Sequence, residues 1–180
     1  RNWDPAAGTP DIAADRTALI LGTGGIGGGV ALSLQAIGMA VLGASRSGRI
    51  RPPFATAMCL DALPDLPDVD VCIGALPLTP QTKGLIGERL FAKLTGALFI
   101  NVGRGATADM DAVVAALDTG RLRHAVLDVV PTEPLQKDSP LWAHEKITIT
   151  PHVSGITLNA DTVAAFVTAC ERFVGKHPNH

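Results

Sequence analysis

The sequence predicts a doubly wound α/β fold built on a parallel sheet. Three observations predict it. Short runs that are apolar throughout recur along the chain, as in strands buried on both faces. Segments of helical spacing separate them. Glycines and chemically active side chains gather just after the apolar runs, where the carboxyl edge of a parallel sheet collects its loops.

The elements follow in order. Residues 1–16 carry Pro5, Gly8 and Pro10 and read as a lead-in. Thr17 to Leu21 is a compact apolar run that suits a buried strand. Ile26, Val30, Leu34 and Ile37 recur at helical spacing, and Gly38 closes that helix. Met39 to Gly43 is the second strand. From Ser45 to Pro67 the chain holds Pro52, Pro53, Pro64 and Pro67, and no helix is assigned there. Val69 to Gly74 is the third strand, and Glu88 to Leu94 a short helix. Ala97 to Asn101 is a strand that runs into Gly103-Arg104-Gly105. Asp109 is a suitable N-cap for a helix with Val113, Val114 and Leu117 on one face, stopped at Gly120. Ala125 to Asp128 is a strand, Pro131 to Glu145 a loop, and Ile147 to Thr150 the last strand. Val163, Phe166, Val167, Cys170 and Val174 fit a final helix, closed by Gly175 with Pro178 beyond.

Composition narrows the function. The 180 residues suit one domain. The formal net charge is −2, and no basic run exceeds two residues. A nucleic-acid surface or a polybasic membrane surface is therefore not expected. Gly, Asp or Pro breaks every apolar stretch before the roughly 20 residues that a membrane span needs. The opening residues show no secretory signal pattern, and the chain starts at Arg1 as a piece of something longer would. Cys59, Cys72 and Cys170 have no metal-ligand spacing, so no metal site is expected and a reducing, cytoplasmic compartment is.

Gly22-Thr23-Gly24-Gly25-Ile26-Gly27 is a GxGxxG turn. Alone it is a weak signal. Here a strand precedes it, a helix follows, and a second strand lies at the right distance. Gly22 suits the tight turn, Gly24 a close approach of backbone to a pyrophosphate, and Gly27 close packing of helix on strand. The helix start then offers free N–H groups and a positive dipole end to the phosphates. A dinucleotide site of the Rossmann type is expected, the alternative being a purely structural turn.

The end of the second strand selects the cofactor. An NAD site calls for Asp or Glu about 20 residues past the glycines, to accept from the ribose 2′-hydroxyl. That place reads Ala44-Ser45-Arg46-Ser47, without an acid. An Arg between hydroxyls suits a 2′-phosphate, so NADP(H) is expected over NAD(H), with NAD(H) still possible.

Three further residues point to chemistry, although each alone reads as ordinary polar surface. Arg104, between two glycines after a strand, offers a guanidinium fork for a carboxylate. Glu133 lies in a loop after the Ala125 strand, and His152 follows Pro151 after the last strand. A carboxylate beside an imidazole fixes the ring's tautomer and stabilises the imidazolium, the arrangement of a general acid. Asp128 could reach a nicotinamide amide or help to hold the Arg104 loop. Together these suggest hydride transfer to a small carboxylate-bearing carbonyl compound.

At this point the chain resembles the D-isomer-specific 2-hydroxyacid dehydrogenases. The shared segments are the glycine turn, Leu76-Pro77-Leu78-Thr79-Pro80-Gln81-Thr82, Asn101-Val102-Gly103-Arg104-Gly105, Leu127-Asp128-Val129 with Glu133-Pro134-Leu135, and Pro151-His152-Val153-Ser154-Gly155. Ser45-Arg46-Ser47 and Ser139-Pro140-Leu141-Trp142 are most similar to the NADPH-linked glyoxylate/hydroxypyruvate reductases. The resemblance implies that Arg104 binds the carboxylate and carbonyl of a 2-oxo acid. It implies that His152 donates the proton and Glu133 partners it. It puts Leu76, Pro77, Thr79, Val102 and Ser154 along the cofactor, with Arg104, Asp128 and His152 near its reactive end.

The resemblance also implies a division of the chain: 1–16 a lead-in from a largely missing substrate domain, 17–155 the dinucleotide-binding domain, and 156–180 a C-terminal helix that returns toward the substrate domain. A homodimer is implied as well. Two readings of another class stand beside this one: a non-catalytic dinucleotide sensor, and a dimerisation module whose glycines serve packing alone.

Overall fold

The computed structural model describes residues 12–63 and 65–155. The helix expected over Val163–Val174 and most of the lead-in lie outside the described residues. Seven strands are present: β1 (Thr17–Leu21), β2 (Ala40–Ser45), β3 (Thr56–Cys59), β4 (Val71–Gly74), β5 (Ala97–Asn101), β6 (Leu122–Leu127) and β7 (Ile147–Ile149). They form one all-parallel sheet in the order β3-β2-β1-β4-β5-β6-β7. The order reverses between β1 and β4, which is the crevice where a doubly wound sheet takes its ligand. Three α-helices are described: α1 (Gly25–Ala36), α2 (Glu88–Phe91) and α3 (Met110–Asp118).

The doubly wound parallel fold is as expected, with one strand more than the six read from the sequence. Strand β3 lies in the proline-rich stretch from Ser45 to Pro67, where the sequence assigns no helix. It has four residues, none of them fully buried, and pairs only with β2, through Leu42↔Thr56 to Ser45↔Cys59. An edge strand half open to water needs no continuous apolar run, so its sequence carries little signal. Strand β6 starts earlier than expected, at Leu122, because Arg123 and His124 interrupt the apolar pattern without interrupting the pairing. Helix α2 is shorter than expected and ends at Phe91. Asp109 caps α3 as its position suggests, accepting from the N–H groups of Asp111 (3.0 Å) and Ala112 (3.1 Å).

Both faces of the sheet are packed. In β1 the alternation of strand side chains sends Leu19 and Leu21 to one face and Ile20 to the other. The first face carries the larger core, with Phe91, Leu94, Phe99, Val113 and Leu117. Phe91 and Phe99 meet edge to face there, with ring centroids 5.4 Å apart at 72°. On the second face Ala31 of α1 packs with Ile20, Val41, Phe54 and Ile73. This rigid layer fixes the strand ends. The loops after β1, β4, β5, β6 and β7 therefore lie along one edge.

Candidate active site

The glycine turn occupies the switch point. Gly22 has φ 107°, a left-handed conformation, and a Cβ there would lie 2.6 Å from the Ala75 carbonyl oxygen. A Cβ at Gly27 would lie 1.9 Å from the Gly22 oxygen, so no side chain fits between helix and turn. At Gly24 a Cβ would meet nothing within 4 Å, so the backbone faces open space there. Helix α1 starts at Gly25 with Gly24 as an N-cap that has no side chain to offer, and no acidic residue stands in its first turn. Gly25, Ile26 and Gly27 thus present first-turn N–H groups of the kind that lack intrahelical partners.

A groove of about 550 Å³ opens beside this turn. Gly22, Gly24, Ser45, Arg46, Ser47, Leu76, Pro77 and Thr79 all line it. The Ser45 hydroxyl is buried without a hydrogen-bond partner. The Arg46 turn is tied to the edge strand by the Cys59 thiol, which donates to the Arg46 carbonyl (3.2 Å). The Leu76–Thr82 stretch braces itself, because the Thr82 hydroxyl donates to the Pro77 carbonyl at 2.6 Å and accepts from the Thr79 N–H at 2.8 Å. An open glycine cradle, the guanidiniums of Arg46 and Arg51, an orphaned hydroxyl and an apolar wall fit a phosphate-bearing dinucleotide.

Sequence reasoning missed two charged residues of this groove. Arg51 lines it from the loop before Pro52-Pro53, and Asp61 lines it from the turn that follows β3. Arg51 carries a sequence signal, a second arginine five residues past Arg46. Asp61 carries none, because its place depends on the unrecognised edge strand.

Arg104 follows β5 in a loop fastened at several points. The buried Asn101 accepts from the Gly103 N–H (3.2 Å), and Thr107 donates to the Arg104 carbonyl through its hydroxyl (2.6 Å) and its N–H (3.0 Å). The flanking glycines serve close packing rather than an unusual φ. A Cβ at Gly103 would lie 2.7 Å from the Leu76 oxygen, and one at Gly105 would lie 1.9 Å from the Val130 carbonyl carbon. The exposed guanidinium donates to the Gly103 carbonyl at 2.7 Å. Val102 is half-buried and packs on the second core face.

Glu133 and His152, nineteen positions apart, meet at 2.7 Å through Glu133 Oε2 and His152 Nδ1. Glu133 Oε1 accepts from the Val130 N–H at 3.1 Å. The hydrogen bond from His152, with that from Val130, holds the Glu133 carboxyl below its ordinary value against partial burial. An ionised carboxylate only accepts, so Nδ1 carries the shared proton and Nε2 is left to exchange one. His152 itself has φ 54°. Asp128 is buried, and its carboxylate accepts from the Thr150 hydroxyl and from the N–H groups of Val153 (2.9 Å) and Ser154 (3.0 Å). Burial would raise the Asp128 carboxyl, but these bonds outweigh it and bring it down to about 2. The Asp128 N–H also donates to the Asn101 carbonyl (3.1 Å), which ties this loop to the one that carries Arg104.

Asp128, Glu133 and His152 line a second cavity of about 630 Å³ with Val130, Leu135 and Trp142. The indole N–H of Trp142 donates to the Gln136 carbonyl (2.9 Å) and leaves the ring half-exposed at the cavity. Among the described residues, Arg104 and Ser154 line neither this cavity nor the groove beside the glycine turn. The groove, the arginine loop and the paired histidine thus follow strands that end at one edge of the sheet.

Sheet order, glycine turn and groove define a doubly wound dinucleotide-binding domain. More narrowly, the chain belongs to the D-isomer specific 2-hydroxyacid dehydrogenases, whose NAD binding domain profile matches residues 1–154. Solved structures agree. Phosphoglycerate dehydrogenase from Lactobacillus plantarum is 35% identical with a TM-score of 0.76, over 94% of this chain and 56% of that one. A D-isomer specific 2-hydroxyacid dehydrogenase from Xanthobacter autotrophicus Py2, in complex with NADPH and MES, is 36% identical with a TM-score of 0.83, over 97% of this chain and 72% of that one. The NADPH-dependent glyoxylate/hydroxypyruvate reductase of Sinorhizobium meliloti, in complex with NADP and sulfate, is 34% identical with a TM-score of 0.78, over 99% of this chain and 57% of that one. The chain therefore spans little more than half the length of two of these three relatives. Among the described residues, no helix is long and apolar enough to cross a membrane.

Proposed function

We propose that this chain is the cofactor-holding part of an NADPH-dependent reductase of small 2-oxo acids, of the glyoxylate/hydroxypyruvate class, yielding the D-2-hydroxy acid. The single observation that carries the catalytic reading is the 2.7 Å contact between Glu133 and His152 at the sheet edge that also bears the groove. A sensor or a packing module has no use for an oriented proton donor.

In this reading Gly22 to Gly27 hold the pyrophosphate at the start of α1. Ser45, Arg46 and Ser47 take the 2′-phosphate, and Arg51 adds a second cation. Leu76, Pro77 and Thr79 wall the groove toward Val102. Asp61 is the acid that would serve a free 2′-hydroxyl, so NAD(H) remains a second, weaker cofactor. The relatives crystallised with NADPH or NADP support the same preference. Bound in the groove, the dinucleotide supplies hydride.

The chain's own residues do the rest. Arg104 grips the substrate carboxylate with its fork and polarises the carbonyl oxygen. His152 delivers a proton from Nε2 to that oxygen as it gains charge, and Glu133 holds the ring from Nδ1. Residues 17–155 form the dinucleotide-binding unit, with 1–16 leading in from the substrate domain and 156–180 returning to it. The reading further includes a homodimer and a cytoplasmic setting, in keeping with the free thiols of Cys59 and Cys72.

The test is NADPH oxidation by a protein that carries this chain together with the remaining length its relatives have. Glyoxylate and hydroxypyruvate should be turned over. Cofactor binding without turnover of any 2-oxo acid would favour the sensor instead.

A further inference from the structure

The turn that follows β2 keeps its donors open to the groove. Ser45, Arg46 and Ser47 all line it. The Ser45 hydroxyl has no partner, and the Ser47 hydroxyl accepts from the Arg49 N–H at 3.3 Å. Each hydroxyl therefore keeps its own proton for an acceptor in the groove.

What holds this turn is a residue of the edge strand that does not itself line the groove, Cys59. Ser45↔Cys59 is the last pair in the register of β2 with β3. The Gly48 N–H then donates back to the Ser45 carbonyl at 3.3 Å. Gly48 has φ 62°, and a Cβ there would lie 3.1 Å from the Cys59 nitrogen. Between these two points the Arg46 carbonyl accepts from the Cys59 thiol at 3.2 Å. The turn thus meets Cys59 at its start, in its middle and at its end. Strand β3 adds little to the core, since none of its four residues is fully buried. Arg46 is exposed, and the rotamers open to a side chain depend on its backbone.

We infer that Cys59 is a positioning residue for cofactor choice: its thiol fixes the Arg46 main chain, and with it the guanidinium that answers the 2′-phosphate. The inference rests on the reading of Ser45 to Ser47 as the 2′-phosphate subsite. Cys59 acts through Arg46 and not on the cofactor.

The test compares NADPH and NADH binding, by cofactor fluorescence, in the 180-residue chain and its variants. Cys59→Ser keeps a donor at this place, whereas Cys59→Val and Cys59→Ala remove it. A second readout needs no cofactor: the rate of tryptic cutting after Arg46, with cutting after the exposed Lys137 as internal reference. In Cys59→Val the NADPH dissociation constant should rise about threefold, the lower part of the range for one neutral hydrogen bond, while that of NADH holds. Cutting after Arg46 should speed up and cutting after Lys137 should not. Cys59→Ser should match the wild type in both readouts. An unchanged NADPH preference in Cys59→Val overturns the inference, as does equal weakening of both cofactors or unchanged cutting after Arg46. A Cys59→Ser chain that behaves as Cys59→Val does overturns it too. Cys59→Ala takes the place of Cys59→Val if the latter does not fold, and failure of both to fold overturns the inference, because the role is then structural. A wild type without preference for NADPH contradicts the proposed function instead, and the cutting rates alone then decide whether Cys59 holds the turn.

Discussion

Gly105 packs backbone to backbone on Val130. A Cβ built on Gly105 would stand 1.9 Å from the Val130 carbonyl carbon and 2.1 Å from its oxygen. The arginine loop and the glutamate loop thus share a wall, since Val130 also donates to Glu133.

Gly105→Ala is therefore expected to destabilise the fold, by about 3 kcal/mol, the upper part of the range for overpacking, because main chain rather than a flexible side-chain tip must yield. The urea midpoint reads this directly. An unchanged midpoint would mean that the two loops separate freely.

Asp128 gives the account a pH signature. Its carboxyl lies at about 2 in the folded chain against an ordinary 3.8. A depressed carboxyl contributes stability that is complete above the unfolded value and is lost as pH falls through the folded one. The shift corresponds to about 2 kcal/mol. Urea unfolding near pH 5 and near pH 2 should show the wild-type advantage over Asp128→Asn shrinking by about that amount. An advantage independent of pH would contradict the bonding described for Asp128.

His152→Gln tests the proton donor in a protein that also carries the substrate-binding part. Turnover should fall by about 10²–10⁴-fold, the usual contribution of a proton-transfer group, while the NADPH dissociation constant holds. Steady-state kinetics beside a binding titration separate the two. Loss of binding with unchanged turnover would reverse the assigned roles.

Much of this was legible because the relevant forces are local. The wholly apolar run Ala18–Leu21 can only be satisfied by burial on both faces, and its residues are inaccessible to solvent. Gly22 and Gly27 stand where backbone comes within contact of backbone. The rest was set by distance in space. The four residues of β3 owe their pairing to β2 and carry no pattern of their own. Asp61, in the turn that follows β3, lines the groove beside the glycine turn by way of that pairing. That Asp128 spends its carboxylate on the turn at 150–154 follows from the adjacency of β6 and β7, which no local spacing announces.

The most direct test of the central claim is a titration of the chain with NADPH and with NADH, followed by cofactor fluorescence. A groove that answers the 2′-phosphate with Arg46 and Arg51 should bind NADPH at least about tenfold more tightly than NADH, a difference of about 1.4 kcal/mol. Equal affinities, or no binding of either, would contradict it.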